Sequence, residues 1–376
     1  MSSARFLRGL QPVQAPLWDA LAGSQPLVRH QFLAAMENSG CLRPEYGWSP
    51  YHLLLEEGEQ LLAAAPCYIK GNSHGEFVFD WSWAQAYADA GLDYYPKLVV
   101  AVPYSPVSGP RLLAPTAALK SSLLDALEQA CARSNLSSVH VNFVQEADRE
   151  ALRERGWIER CQVQFHYTRA LERNFDEYLA RFSSKKRKNI RQERAHVAAS
   201  GFRFVTLEGA QISDDDLALA HRFYLHTFDE KCNHAALTLA FFSAIRTHLL
   251  LIQAQLDGQT VAGAICFRDQ TTLYGRYWGT LAGLEDRANL AGLHFETCYY
   301  QGIEYVLAAG LSRFEPGAQG EHKQARGFDP TLTYSAHYIK DRRFREPIAQ
   351  FCRRECEQTR AYAETLAQHS PFKQIA

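Results

Sequence analysis

The chain of 376 residues lacks the features of a membrane or secreted protein. Its longest apolar stretches, 98–102 and 248–256, have only the length of a strand. A helix that crosses a bilayer needs about 18 or more apolar residues in a row, so no transmembrane helix is expected. No apolar stretch follows a basic segment near the first residue, so no signal peptide is expected, and we predict a cytoplasmic protein.

The sequence also lacks the short motifs of common cofactor and nucleophile sites. It has no GxGxxG, no GxxxxGK[ST] and no GxSxG. Its nine cysteines are scattered without a CxxC pair, and the nearest pair is Cys352 and Cys356. Because a structural zinc site needs a closed set of ligands at short spacing, no metal is expected. We predict reduced, mostly buried cysteines.

An excess of one charge is absent as well. The formal net charge of −1 gives no general case for binding nucleic acid or an anionic membrane, so any anion must be bound by a local patch. The composition, 47% hydrophobic and 22% charged, is that of a globular protein. The length predicts two or three domains.

Predicted helices and strands alternate along the chain, which is typical of an α/β protein. Hairpin signals at Glu57-Gly58 and Asp257-Gly258 indicate a mixed sheet. A shift of 171 residues superposes one half of the chain on the other. The matching segments are Phe143 with Phe314, Arg155-Gly156-Trp157 with Arg326-Gly327-Phe328, and His166-Tyr167 with His337-Tyr338. We therefore predict two copies of one α/β unit, in domains 1–168 and 169–376.

The repeat separates residues that serve the fold from candidates for function. Positions shared by both copies, such as His166 and His337, are predicted to serve the fold. Four polar residues occur only in the second copy: Glu315, Gln319, His322 and Lys323 replace Val144, Asp148, Ala151 and Leu152. Arg276 likewise replaces Ser105.

Segment 314–328, FEPGAQGEHKQARGF, leaves a predicted strand and holds most of these polar groups. His322 or Glu315 could act as a general acid or base, and Lys323 could stabilise charge. The alternative is a hydrogen-bonded loop that only supports the fold.

Strand 271–279 is predicted to carry Tyr274, Arg276 and Trp278 on one face. That face would be a pocket wall in which Arg276 binds a carboxylate or phosphate. The alternative is a half-buried aromatic strand. Gly275 predicts a bulge or a close backbone approach, and Asn289 could cap the helix that follows.

Residues 183–194, SSKKRKNIRQER, form a predicted basic helix. Arg187, Arg191 and Arg194 would share one face of it. A charge run of this kind is either a solvated face or a binding surface for a phosphate-bearing substrate or an RNA end.

Several motifs together resemble the FemAB-like peptidoglycan biosynthesis/recognition family of the GNAT acyltransferase superfamily. They are FDWSWAQAY (79–87), YYPKLVVAVPYSPVSGPRLL (94–113), SSKKRKNIRQER (183–194), LYGRYWG (273–279), HFETCYYQGIE (294–304) and FEPGAQGEHKQARGF (314–328). The resemblance covers nearly the whole chain. It implies two tandem GNAT-like domains, with mixed, mainly antiparallel sheets flanked by helices.

The resemblance also implies a bacterial transferase that joins an acyl or aminoacyl group to an amine, such as a peptidoglycan precursor or an amino-acid-like metabolite. Lys323 and Arg187 would contact substrate phosphates. Residues 281–293 depart from the pyrophosphate loop of GNAT proteins that use acetyl-CoA, which leaves the donor open between acyl-CoA and aminoacyl-tRNA.

We therefore predict that an acyl donor enters between splayed strands of the second domain, where backbone amides near 275–279 stabilise the oxyanion. The predicted partners are an amine acceptor and tRNA, without stable membrane insertion, and the oligomeric state stays open. The predicted catalytic residues are His322, Glu315 and Lys323, and the predicted substrate-binding residues are Arg276, Tyr274, Trp278, Gln319, Arg187 and Arg191. The alternative is a non-catalytic GNAT-like module that senses a phosphate-bearing ligand or RNA.

Overall fold

A computed structural model describes residues 3–284, 290–318 and 320–373. Its strands are β1 (Ser3–Leu7), β2 (Trp48–Pro50), β3 (His52–Glu57), β4 (Gln60–Ala65), β5 (Cys67–Lys70), β6 (Lys97–Val100), β7 (Ser138–Val144), β8 (Ile158–Thr168), β9 (Arg203–Glu208), β10 (Leu249–Leu256), β11 (Gln259–Arg268), β12 (Thr272–Thr280), β13 (Arg313–Glu315) and β14 (Asp329–Ile339). Its α-helices are α1 (Ala15–Ala22), α2 (His30–Asn38), α3 (Trp81–Asp89), α4 (Ala117–Arg133), α5 (Glu146–Glu154), α6 (Phe175–Arg181), α7 (Ser184–Ala199), α8 (Asp214–Glu230), α9 (Leu239–Ala244), α10 (Leu293–Phe295), α11 (Gln301–Ala308) and α12 (Arg342–Gln368). A π-helix, Glu296–Tyr300, joins α10 to α11.

The chain forms two compact units, each built from two stretches of sequence. The first unit contains Met1–Val163 and Leu332–Tyr362, and the second contains Gln164–Thr331 and Ala363–Ala376. The predicted domains had one boundary, between residues 168 and 169. In the structure, residues 332–362 belong to the first unit as well, because β14 pairs with β7.

Both units arrange their strands in the same way, which confirms the predicted α/β fold with mixed, mainly antiparallel sheets. In the first unit β2, β5, β6, β7 and β14 are neighbours in that order, and only the β6–β7 pair is parallel. In the second unit β9, β10, β11, β12 and β13 follow one another, and only the β12–β13 pair is parallel.

The shared residues of the repeat mark corresponding turns. The strands β8 and β14 are both 11 residues long and begin at Ile158 and Asp329. Each follows a glycine in the left-handed region, Gly156 at φ 81° and Gly327 at φ 77°. The aromatic residue after each glycine is buried. The Arg-Gly-aromatic signature therefore belongs to the fold, as predicted.

Each unit has its own apolar core. In the first, Leu98, Val100, Val139 and Val141 pack with α4. In the second, the sheet packs with the π-helix and α11 through the residues Leu250, Ile252, Tyr299, Tyr300 and Ile303. All nine cysteines are free thiols. Within the described ranges, no helix is both long and apolar enough to span a bilayer.

Candidate active site

The strands β12 and β13 diverge soon after they pair. Their parallel register runs only from Thr272 opposite Arg313 to Tyr274 opposite Glu315. Beyond Tyr274, β12 continues to Thr280 while it stays bonded to β11. After Glu315 the chain turns away from the sheet and enters a 3-10 helix, Glu321–Arg326. We call the region bounded by 275–280, 315–318 and 320–323 the wedge.

A bulge in β12 lies at the wedge. Ile265 of β11 pairs with Tyr277, but the next residue, Cys266, pairs with Gly275, so Arg276 is the extra residue. A Cβ at Gly275 would lie 3.2 Å from Cα of Pro316. The predicted bulge and the predicted close backbone approach at this glycine are therefore both confirmed.

The bulge changes which residues share a face of β12. Tyr274 lies opposite Phe267 and Trp278 lies opposite Ala264. Directly paired residues point to the same face, and residues three apart on one strand point to opposite faces. Tyr274 and Trp278 are therefore on opposite faces of the sheet. The prediction that Tyr274, Arg276 and Trp278 line one face is wrong, because the extra residue shifts the alternation.

Lys323 is buried in the wedge, with 2% of its surface exposed. Its Nζ donates a hydrogen bond of 2.7 Å to the carbonyl of Gly317. Gly317 also lies close to β12, since a Cβ built on it would be 3.7 Å from the carbonyl oxygen of Gly275. The turn at Gly317 is therefore in contact with both Lys323 and β12. Burial lowers the pKa of Lys323 to about 8, and the charge of Arg276 acts in the same direction. Lys323 is thus a cation in a poorly solvated place.

Glu315 ends β13 and is 5% exposed. Burial raises the pKa of its carboxyl to about 7, against the opposing influence of Arg313 and Arg276. Arg313 Nη1 lies 3.4 Å from Glu315 Oε1. A carboxyl group that titrates near neutral pH can accept or donate a proton in acid–base chemistry.

His322 has a different set of neighbours from Glu315. Its Nε2 lies 2.8 Å from the hydroxyl of Tyr299, which the π-helix places there. A Cβ at residue 320 would overlap the His322 ring, and Gly320 has φ 112°, so only glycine fits beneath the imidazole. Partial burial lowers the pKa of His322, and the charges of Lys323 and Arg326 lower it further.

The basic helix α7 divides into a structural part and a solvent-facing part. The Arg194 guanidinium binds Glu296 through Nε and Nη2 and binds Glu304 through Nη1. Arg191 is exposed and Arg187 is half-buried. In the part of the chain that the structure describes, neither of these two arginines has an ion-pair partner. They stay candidates for binding an anion, whereas Arg194 supports the fold.

Two predicted residues lie outside the described residues, namely Gln319 and Asn289. Among the residues that are described, no group of His, Cys, Asp and Glu side chains is placed to hold a metal ion.

The sequence interpretation missed a buried polar cluster in the first unit. Lys97 Nζ lies 3.0 Å from Glu76 Oε2 and 2.5 Å from Asp80 Oδ2, and all three side chains are almost completely buried. His140 and His337 lie next to this cluster, with 2.6 Å between their Nδ1 atoms. The comparison of the two copies selected polar residues of the second copy only, so charged residues of the first copy, such as Lys97, are not among the predicted site residues.

A second missed residue is His166 in the second unit, whose Nδ1 lies 4.0 Å from Glu315 Oε1. It was assigned to the fold because His337 occupies the same place in the first copy. The sequence carries no signal that its strand pairs with β13.

The strand order and the single parallel pair, which recur in both units, define two tandem α/β domains of the same architecture. The chain belongs to the FemAB-like family, described as peptidoglycan biosynthesis/recognition, whose model matches residues 9–374. No curated protein matches the sequence. The solved structure of FemX is similar at 11% identity and a TM-score of 0.54, over 90% of this chain and 98% of that one. The C-terminal domain of a putative lysylphosphatidylglycerol synthetase from Agrobacterium fabrum is similar at 11% identity and a TM-score of 0.51, over 90% and 95%. At these identities the likeness shows the fold.

Proposed function

We propose that this chain is an N-acyltransferase or aminoacyltransferase that joins an activated acyl group to an amine. The observation that supports this most directly is the position of Lys323 in the wedge. Its ammonium group is buried beside the segment of β12 that has lost its strand partner β13. When an amine attacks an acyl carbonyl, negative charge develops on the carbonyl oxygen, and a buried cation would stabilise it.

The wedge would hold the acyl carbonyl between Gly275–Gly279 and Lys323. His322 or Glu315 would remove the proton from the attacking amine. Burial raises the pKa of Glu315 to about 7, and the lowered pKa of His322 keeps its imidazole in the neutral form that accepts a proton. Gln319 and one of the two aromatic residues Tyr274 and Trp278, which lie on opposite faces of β12, complete the set of proposed substrate contacts. Alignment of donor and amine would supply much of the rate.

The proposed donor is an acyl-CoA or an aminoacyl-tRNA, both of which carry phosphate groups. Arg187, Arg191 and Arg276 would bind those phosphates, because guanidinium groups form paired hydrogen bonds with phosphate oxygens. The family description and the likeness to FemX favour a peptidoglycan precursor as the amine acceptor. The name of the similar putative lysylphosphatidylglycerol synthetase domain agrees with an aminoacyl group as the group that is transferred.

The test is a transfer assay with mixed donors and acceptors. The purified chain is incubated with acyl-CoA esters or aminoacyl-tRNAs and with nucleotide-linked peptidoglycan precursors or amino acids. Mass spectrometry then detects a new amide that accumulates with time. Binding of these ligands, seen as a rise in the melting temperature, without any amide product would contradict the proposal and favour the non-catalytic binding module.

A further inference from the structure

His166 and Glu315 face each other on neighbouring strands of the second unit. The strands β8 and β13 are antiparallel, with Tyr167 opposite Phe314. The gap from His166 Nδ1 to Glu315 Oε1 is 4.0 Å, and the two side chains are 3% and 5% exposed. Among the described residues, no group donates a hydrogen bond to His166 Nδ1 or to Glu315 Oε2. Buried polar atoms in native proteins nearly always have a partner, so a partner for these two must come from elsewhere.

The tautomer of His166 shows what kind of partner is missing. Its Nε2 lies 3.1 Å from Oε1 of Gln164, and an amide oxygen only accepts hydrogen bonds, so Nε2 carries the proton. Burial, with Arg313 and Lys323 nearby, lowers the pKa of His166 to about 3, so the ring is neutral at physiological pH. Nδ1 therefore presents a lone pair, and so does Glu315 in its ionised form, which a pKa of about 7 makes available at neutral pH. Two acceptors border the gap.

The charges around the gap favour a neutral donor over a cation. The ionisable groups that influence this pair are Arg313 on β13, Arg276 on β12, Lys323 on the 3-10 helix and Asp269 before β12. Three of these four are basic. Even with the ionised Glu315 carboxylate included, three basic groups face two acidic ones, so the net positive charge disfavours an ammonium ion, whereas a neutral amine can offer two N–H groups without that cost. The same charges keep an amine unprotonated, which is the form that attacks a carbonyl.

We propose that His166 Nδ1 and Glu315 Oε2 form the subsite for the neutral primary amine of the acceptor. This inference rests on the proposed acyl transfer only for its last step. In that step the amine nitrogen bonds to the acyl carbon, the donor's leaving group departs with its bonding electron pair, and the ionised Glu315 carboxylate takes the amine proton. His166 keeps the second N–H in place through its lone pair and contacts the substrate directly.

Nuclear magnetic resonance tests the subsite without an acyl donor. The full chain, labelled with ¹³C in the Glu carboxyl groups and ¹⁵N in the His rings, is titrated with glycinamide, a primary amine without a carboxylate. Acetamide, which lacks the amine, is the control ligand. We expect glycinamide to shift the signals of the Glu315 carboxyl and of His166 Nδ1, and acetamide to leave both unchanged. Absence of any shift with glycinamide would overturn the subsite.

Two variants sharpen the test. Glu315→Gln brings its own N–H donor into the gap, so the chain should fold normally but bind glycinamide at least ten-fold more weakly. His166→Leu should weaken binding similarly, and His166→Gln, which keeps an acceptor, should restore part of it. Undiminished binding by Glu315→Gln would contradict the subsite even if both His166 variants failed to fold. Glycinamide binding at this pair in a protein with no transfer activity would support the subsite and contradict only the proposed function.

Discussion

The hydroxyl of Tyr299 lies 2.8 Å from Nε2 of His322. Burial raises the pKa of Tyr299 above its ordinary value, so the hydroxyl keeps its proton and can either donate to the imidazole or accept from it. The π-helix places the tyrosine there, and π-helical turns are frequent at functional sites. The hydrogen bond to Tyr299 therefore fixes the orientation of the His322 ring.

Replacing Lys323 with methionine should raise the pKa of His322. The positive charge of Lys323 disfavours the imidazolium form, so its removal moves the pKa back toward the ordinary value. A histidine ring titration followed by NMR measures the change. The control Glu321→Gln removes an acidic neighbour and should not raise the pKa. An identical titration curve in Lys323→Met would show that the two side chains do not interact.

Arg194 and Arg191 lie on the same helix but should differ in their effect on stability. Arg194→Ala leaves the buried carboxylate of Glu296 without its main partner, which should cost on the order of 2–4 kcal/mol. Arg191→Ala removes an exposed side chain and should change stability by less than about 0.5 kcal/mol. Urea unfolding of both variants measures the difference. Equal losses would show that Arg194 does not hold α7 to the π-helix.

Much of the fold could be predicted because local signals and tertiary structure agree. Asp214 begins α8 as the acidic residues at 214–216 suggest, and Ser213 caps it. The hairpin at Asp257-Gly258 joins β10 to β11 as predicted. The return of 332–362 to the first unit could not be predicted, since it depends on β14 pairing with β7 across about 190 residues of chain.

The two glycines of the repeat give a matched pair of mutations. Gly156→Ala should cost about 1–2 kcal/mol, since φ is 81° and no other atom lies within 4 Å of the new Cβ. Gly327→Ala should cost more, because its Cβ would also lie 2.7 Å from Cζ of Phe182 and 2.9 Å from Cζ of Phe372. Thermal and urea unfolding test the order. The account would be wrong if Gly156→Ala were the more damaging change.

Acid should destabilise the chain through its buried histidines, and His294 offers a clean test. Burial lowers the pKa of His294 in the folded chain to about 4 from its ordinary value of 6.5. Between about pH 6.5 and pH 4, His294 is protonated in the unfolded chain but neutral in the folded chain. The free energy of unfolding therefore falls by about 1.4 kcal/mol for each pH unit in this range. Unfolding free energies at pH 7 and pH 5 should therefore differ less in His294→Gln than in the wild type. His196→Gln, on the exposed side of α7, is the control and should leave that difference unchanged.

The candidate site could be predicted only in part. Comparison of the two copies selected Glu315, His322 and Lys323, and the structure places all three around the end of β13 and the turn that follows it. It assigned His166 to the fold, because a contact between strands is not visible in one sequence. The shared face of Tyr274 and Trp278 was also wrong, since alternation cannot reveal which residue forms a bulge.

The central claim is that the wedge around Lys323 is a site of acyl transfer. Its most direct test is the rate of a single turnover, with the donor and acceptor found in the transfer assay, for the wild type, Lys323→Met and the control Glu321→Gln. Loss of a group that stabilises an oxyanion typically lowers the rate about 10²–10³-fold, and we predict that loss for Lys323→Met with a normal rate for Glu321→Gln. A wild-type rate in Lys323→Met, with the fold intact, would contradict the claim.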